Sequence, residues 1–284
     1  GIMLGIILPL FYVIIRELLD NKVRTIEEIE KQYKIPILGA IGRKIGGNNL
    51  VVFERPKSTI SESFRALRAN VQFLFKTDIH SSKRSKTLVL TSTVSGEGKT
   101  MISINMATVF ALSGKKTILI GMDLRKPKIF DDFELNNDIG VVNYLINQKT
   151  ISEITKKTKI PNLDIILSGP IPPNPSELLI SEACDRFIQE LEKEYDYIVI
   201  DTAPVGLVSD ALELFKYADA TCYVIRQDYS ERGMINMIDN KYVNREVSNI
   251  SYIFNDLKVK SKLGYGYGYG YGYSETYGNG YHEN

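Results

Sequence analysis

Short apolar runs bounded by polar residues recur through the middle of the chain. Positions 87–91, 117–121, 163–167, 197–200, 221–225 and 250–254 are dense in Leu, Ile and Val without polar alternation. Strands buried on both faces read this way, as in a parallel sheet. Between them, apolar positions fall at helical spacing over 99–112, 176–194, 209–217 and 231–242. A further helix is predicted over 59–75, where Phe64, Leu67, Val71, Leu74 and Phe75 recur at three- and four-residue steps and leave charges on the other face. The alternation predicts an α/β fold, a doubly wound and mainly parallel sheet with helices on both faces. Its ligands should sit beyond the carboxyl ends of the strands.

The pattern fails at both ends. Residues 1–15, GIMLGIILPLFYVII, carry no charge. The run is short of the ~20 residues that cross a bilayer, so residues 1–19 are expected to form the C-terminal part of a transmembrane helix. A buried core helix is the alternative. Arg16, Lys22 and Arg24 follow, and the positive-inside bias places what comes next in the cytoplasm. Residues 20–57 read as a juxtamembrane linker, with a short helix over 25–33, an apolar run over 35–41 broken by Pro36, and a turn at Gly46-Gly47-Asn48-Asn49. A catalytic domain is expected over 58–263. Residues 264–284 contain no aliphatic side chain and seven tyrosines, so they cannot bury a core and should be disordered.

Composition adds exclusions. The chain has 284 residues, of which 44% are hydrophobic and 24% charged, with a formal net charge of +1, so no polyelectrolyte surface for nucleic acid is implied. Two cysteines, Cys184 and Cys222, lie in apolar stretches and are too few for a disulfide framework. His80 and His282 are isolated, and no metal-ligand spacing of His or Cys occurs.

The chemistry concentrates after the first core strand. Ser95-Gly96-Glu97-Gly98-Lys99-Thr100, with Met101 behind it, opens a helix directly after an apolar strand. That is the setting of a phosphate-binding loop: glycines let backbone amides approach the phosphates, Lys99 reaches the β- and γ-phosphates, and Thr100 offers a hydroxyl to Mg²⁺. Thr93 stands where the general pattern has its first glycine, and a Gly-rich turn is the alternative. The sheet is therefore expected to be of the P-loop NTPase type. Asp201 ends the strand YIVID, and Asp123 closes ILIGMD before Leu-Arg-Lys-Pro. At strand carboxyl ends both carboxylates can face the phosphates and hold Mg²⁺ directly or through water. A helix cap or turn is the plainer role for each.

Together the SGEGKT loop, the acidic strand end followed by LRKP, and IDTAP resemble the bacterial tyrosine kinases (BY-kinases), the cytoplasmic modules of capsule and exopolysaccharide co-polymerases. The resemblance covers about residues 55–284 and includes GPIPPNPSELL (169–179) and the tyrosine-rich tail. It implies an ATP·Mg²⁺-dependent protein-tyrosine autokinase with Lys99, Asp123 and Asp201 as catalytic groups. Its phosphoacceptors would be Tyr265, Tyr267, Tyr269, Tyr271, Tyr273, Tyr277 and Tyr281. One position departs from the family pattern: Gly121 stands where a first aspartate of the strand is usual. Tyrosine has a pKa of about 10, so Asp123 must then take the proton as well, or a phosphate oxygen must.

Glu62, Arg65 and Arg68 are three apart, on one side of their helix. By spacing alone they form a solvated face with a local ion pair. By resemblance, ESFRALRAN is a subunit-contact motif that builds a homo-oligomeric ring, an octamer being one such size. The tail, with an r.m.s. reach of roughly 25 Å, allows phosphorylation in trans. The resemblance further implies a cognate tyrosine phosphatase, polysaccharide export machinery, and a place at the inner membrane with the catalytic domain in the cytoplasm. Asn255, ending ISYIFN, resembles the adenine-reading amide of related ATPases, with a turn residue as the alternative. Arg226 is expected near the base or phosphates, or in a surface ion pair. Two other functions share the motifs: an ATPase switch of the septum-positioning and plasmid-partitioning kind, and an inactive nucleotide-gated scaffold.

Overall fold

The computed structural model describes residues 20–76, 85–206 and 210–258, together with Pro9 and Phe11. In chain order the elements are α1 (Ile26–Gln32), β1 (Ile37–Gly42), α2 (Val51–Glu54), α3 (Thr59–Lys76), β2 (Lys86–Ser92), α4 (Lys99–Leu112) and β3 (Thr117–Gly121). Then come α5 (Ile129–Asp132), α6 (Val141–Leu145), α7 (Ile151–Ile154), β4 (Thr155–Lys157), β5 (Leu163–Ile166), α8 (Pro175–Leu179) and α9 (Glu182–Glu194). The last third holds β6 (Tyr197–Asp201), α10 (Asp210–Glu213) running into a 3₁₀ turn (Leu214–Tyr217), β7 (Ala220–Arg226), α11 (Arg232–Val243) and β8 (Ile250–Leu257).

The eight strands of the described residues form one sheet in the order β1-β8-β7-β2-β6-β3-β5-β4. Every pairing is parallel except β4 with β5. From β2 the chain crosses to β3, comes back through β6, and then builds β7 and β8 on the other side. The carboxyl end of β2 is thus the point where winding reverses, the place where a doubly wound sheet takes its ligands. The doubly wound expectation holds.

Both faces are covered. On one, α3 and α4 pack Phe64, Leu67, Val71, Phe110 and Ile104 against Leu88, Leu90, Leu119 and Val199. On the other, Leu179, Phe187, Ile188 and Leu191 meet Val89, Ile118, Ile120 and Ile198. Nearly every residue of α4 is buried, as its all-round apolar sequence requires. Its far end is fixed by Phe110 stacked on Tyr197 with centroids 4.2 Å apart. The start of α4 is therefore anchored to the strands that carry its chemical partners.

Three expectations change. Residues 20–57 are not a detached linker: β1 pairs in parallel with β8, and Ile29, Tyr33 and Ile35 pack with Tyr252 and Ile238 in a third cluster. The main chain of Val23 also pairs with Ser230 and Asp228. The single helix over 176–194 is two, because Ser181 caps a new helix by accepting from the Cys184 amide. The start of the 209–217 helix lies outside the described residues, and 214–217 is 3₁₀. The segment 1–19 and the tail tyrosines also lie outside the described residues, apart from positions 9 and 11. Among the described residues no helix is long and apolar enough to cross a membrane. Cys184 and Cys222 are both free and buried.

Candidate active site at the phosphate loop

The loop between β2 and α4 can form only with glycine at two points. Gly96 and Gly98 both have φ of +95°, a left-handed conformation that side chains avoid. A Cβ on Gly98 would also lie 2.1 Å from Asn255 Nδ2. Gly98 is the N-cap of α4 and supplies no side-chain cap. The first amides of α4 are thus left to a ligand, and the helix dipole favours an anionic one.

Asp201 gathers the side chains. Its Oδ1 accepts from Lys99 Nζ at 2.7 Å and from Ser103 Oγ at 2.9 Å, while Oδ2 accepts from Thr100 Oγ1 at 2.9 Å. The ion pair is buried, with 7% and 3% of the two side chains exposed. The pairing is a consequence of topology: β6 lies beside β2, and α4 packs across β6, so one turn of the helix faces the strand end. Ser103 was not foreseen, although it follows Lys99 by four residues and so shares its helix face.

Asp123 completes the group. In the β3–β6 register Gly121 pairs with Asp201, and Asp123 follows two residues beyond. Its carboxyl lies above the ordinary range, chiefly because it is buried; the nearby Lys99 charge opposes that shift and Asp201 adds to it. Oδ1 accepts from the amides of Lys126 at 2.9 Å and Arg125 at 3.3 Å, which fixes the turn. A Cβ at Gly121 would press on the Ser168 amide at 3.3 Å and lie 3.5 Å from Ile129 Cδ1, so the departure from the aspartate pattern coincides with a closely packed spot.

The structure therefore brings Lys99, Thr100, Asp123 and Asp201 together. Two carboxylates and a hydroxyl are hard oxygen donors of the kind Mg²⁺ takes while keeping several waters. Among the described residues no three His, Cys, Asp or Glu side chains converge on one point.

Other expected site residues serve differently. The Glu97 side chain is fully buried and turns inward. Its carboxylate accepts from the Val94 amide at 2.9 Å and from the Ser230 hydroxyl, and burial raises its pKa. Glu97 can meet a ligand only through its backbone. The Met101 side chain belongs to the core. Ser95, Gly96 and Glu97 expose their carbonyls to Tyr229, Arg226 and Asn255 respectively. Asn255 is buried against the loop with its amide nitrogen already donating. Glu62 pairs with Arg65 on a half-exposed face, whereas Arg68 Nη1 donates to the Val109 carbonyl at 3.1 Å.

Known proteins are similar to this chain in sequence and fold. The family model described as an AAA domain matches residues 85–250. The tyrosine-protein kinase YwqD of Bacillus subtilis is 36% identical over 184 residues, which span 65% of this chain and 76% of YwqD. The chain belongs to the bacterial tyrosine-protein kinase family. Within that family's solved structures, the chimerical protein CapA2B2 superposes with a TM-score of 0.74 at 33% identity, over 82% of this chain and 99% of that one. The BceF tyrosine kinase domain gives 0.73 at 28% identity, over 82% and 98%.

Proposed function

We propose that this chain is an ATP-dependent protein-tyrosine autokinase whose acceptors are the tyrosines at 265–281. The observation that carries the reading is the buried junction of Lys99, Thr100 and Asp201 at the mouth of the loop, with Asp123 beside it. Loop amides and Lys99 hold the terminal phosphates and stabilise charge on the phosphoryl group in flight, which is where most of the catalysis in phosphoryl transfer lies. Thr100, Asp123 and Asp201 are the residues that would hold Mg²⁺, which supplies charge neutralisation on those phosphates when bound.

Asp123 takes the tyrosine proton. Position 121 offers no carboxylate, and Asp201 already accepts from Lys99, Thr100 and Ser103, which leaves the Asp123 carboxylate for the proton. The tail is long enough to reach a neighbouring copy, so transfer runs in trans within a ring that uses Glu62, Arg65 and Arg68. Each phosphate adds a charge of about −1.5 to −2, and several on one short coil loosen that ring. On this reading the N-terminal segment anchors the kinase at the inner membrane, where it regulates capsule or exopolysaccharide polymerisation and export and is reset by a tyrosine phosphatase.

Incubation of the purified chain with ATP·Mg²⁺, followed by phosphotyrosine mapping by mass spectrometry, tests the reading against Lys99→Met. Tail phosphotyrosine in the wild type and none in the variant is expected. ADP release without modified tyrosines would mark an ATPase switch, and neither product would mark a scaffold.

A further inference from the structure

Three successive peptide units of the phosphate loop are held from outside it. Tyr229 Oη donates to the Ser95 carbonyl at 2.9 Å, Arg226 Nη1 to the Gly96 carbonyl at 2.8 Å, and Asn255 Nδ2 to the Glu97 carbonyl at 2.8 Å. The donors come from the end of β7, the turn behind it, and β8. In a planar trans peptide the C=O of one residue and the N–H of the next point in opposite directions. Pinning these carbonyls outward therefore fixes the amides of Gly96, Glu97 and Gly98 on the other edge of the same planes. The geometry points to Arg226, Tyr229 and Asn255 as positioning residues that aim these three amides at the phosphates of a bound nucleotide. This rests on the nucleotide-binding reading above.

The supports are themselves braced. Arg226 places Nε and Nη2 on Asp256 Oδ2 at 3.1 and 3.0 Å, and Asp256 also accepts from Arg43. Hydrogen bonding to Arg43 is the main cause that holds the Asp256 carboxyl below its ordinary range. The Arg226 guanidinium lies 5.1 Å from the Tyr229 ring centroid. The Arg226 amide donates to Ser230 Oγ at 2.8 Å, and that hydroxyl meets the Glu97 carboxylate inside the loop. The loop is thus gripped on its carbonyl side by Arg226, Tyr229 and Asn255, and through its buried glutamate by Ser230.

The glycines fit this role twice over. Beyond their left-handed φ, they leave room for the grip: a Cβ on Gly96 would lie 2.8 Å from Tyr229 Oη, and one on Gly98 2.1 Å from Asn255 Nδ2. Donors fixed before the ligand arrives need no reorganisation when it binds. Asn255 consequently has a role distinct from reading adenine, and the two roles predict different binding behaviour.

Calorimetry on the full chain with ADP·Mg²⁺ and with IDP·Mg²⁺ separates them, since IDP lacks the exocyclic amine. Tyr229→Phe removes one hydroxyl from a ring that is 38% exposed and should weaken ADP about 3- to 10-fold, the effect of one neutral hydrogen bond. Asn255→Asp turns an acceptor toward the Glu97 carbonyl and should weaken ADP about tenfold or more. Both variants should weaken IDP by the same factor as ADP. Arg226→Lys should retain most of what Arg226→Met loses. If thermal melting shows that Asn255→Asp does not fold, Tyr229→Phe and the Arg226 pair carry the test. The inference is overturned if Tyr229→Phe and Arg226→Met bind ADP within twofold of the wild type, or if Asn255→Asp changes the ADP-to-IDP ratio while leaving IDP unaffected. A wild-type chain that takes up no ADP would instead defeat the proposed function, and this inference with it.

Discussion

Replacing Lys99 with methionine leaves the Asp201 carboxylate 3% exposed and without its cation. At 2.7 Å the attraction is about 6 kcal/mol for an effective dielectric constant of roughly 20. Desolvating the two ions offsets much of that, so the intact pair adds little net stability. Breaking it is another matter, because the survivor remains buried and unpaired, at a cost of about 3–5 kcal/mol. Thr100 and Ser103 still donate to Asp201, which puts Lys99→Met at the low end, about 3 kcal/mol. Asp201→Asn strands the ammonium and should cost a similar amount. The double variant removes both charges and keeps an acceptor for the hydroxyls, so it should lose about 2 kcal/mol less than the two singles added together. Urea unfolding followed by circular dichroism reads this directly. With a slope of about 3 kcal/mol per molar, each single variant should lower the midpoint by about 1 M. Single shifts under about 0.3 M that simply add in the double variant would show the pair to be solvated, and the electrostatic account of the site would be wrong.

Phe110→Ala should cost about 3–5 kcal/mol, since the ring is fully buried and stacked on Tyr197; a urea midpoint close to wild type would contradict this. Glu97→Gln tests a sign. Burial raises the Glu97 carboxyl above 4.5, so between the unfolded and the raised pKa the native state holds more protons, and its contribution to stability falls as pH rises through that window. The glutamine variant lacks that loss, so its melting temperature relative to wild type should climb from pH 4 toward pH 7. A difference that does not vary with pH would refute it. Arg65→Ala/Arg68→Ala should sediment as a smaller species than wild type, and an unchanged mass would exclude the ring contact.

Much of this fold could be read from periodicity because its six central strands are buried on both faces and so appear as unbroken apolar runs. β1 could not. Its sequence, ILGAIG, carries two glycines, follows Pro36, and has one fully buried position; what makes it a strand is pairing with β8, more than two hundred residues away. β4 is three polar residues whose strand pairing comes from its antiparallel partner β5. The break before α9 came from one capping serine inside an otherwise continuous helical pattern.

The site divides along the same line. Lys99, Thr100, Asp123 and Asp201 were legible because each stands at a strand end or helix start, where topology determines what a side chain can face. The inward turn of Glu97, the Ser103 contact and the grip of Tyr229 on Ser95 were not, since they depend on how distant loops pack. Arg226 carried a hint, as a lone cation ending an apolar strand, but nothing local distinguished the Gly96 carbonyl from solvent as its target.

A mixing experiment tests the central claim. One chain keeps its catalytic residues and has all seven tail tyrosines changed to phenylalanine; the other carries Lys99→Met with its tail intact. Given γ-labelled ATP and Mg²⁺, label should appear on tail tyrosines of the Lys99→Met chain only when both chains are present. Label on that chain when it is alone would show that Lys99 is not needed for transfer, and no label in the mixture or in the wild type would contradict the kinase.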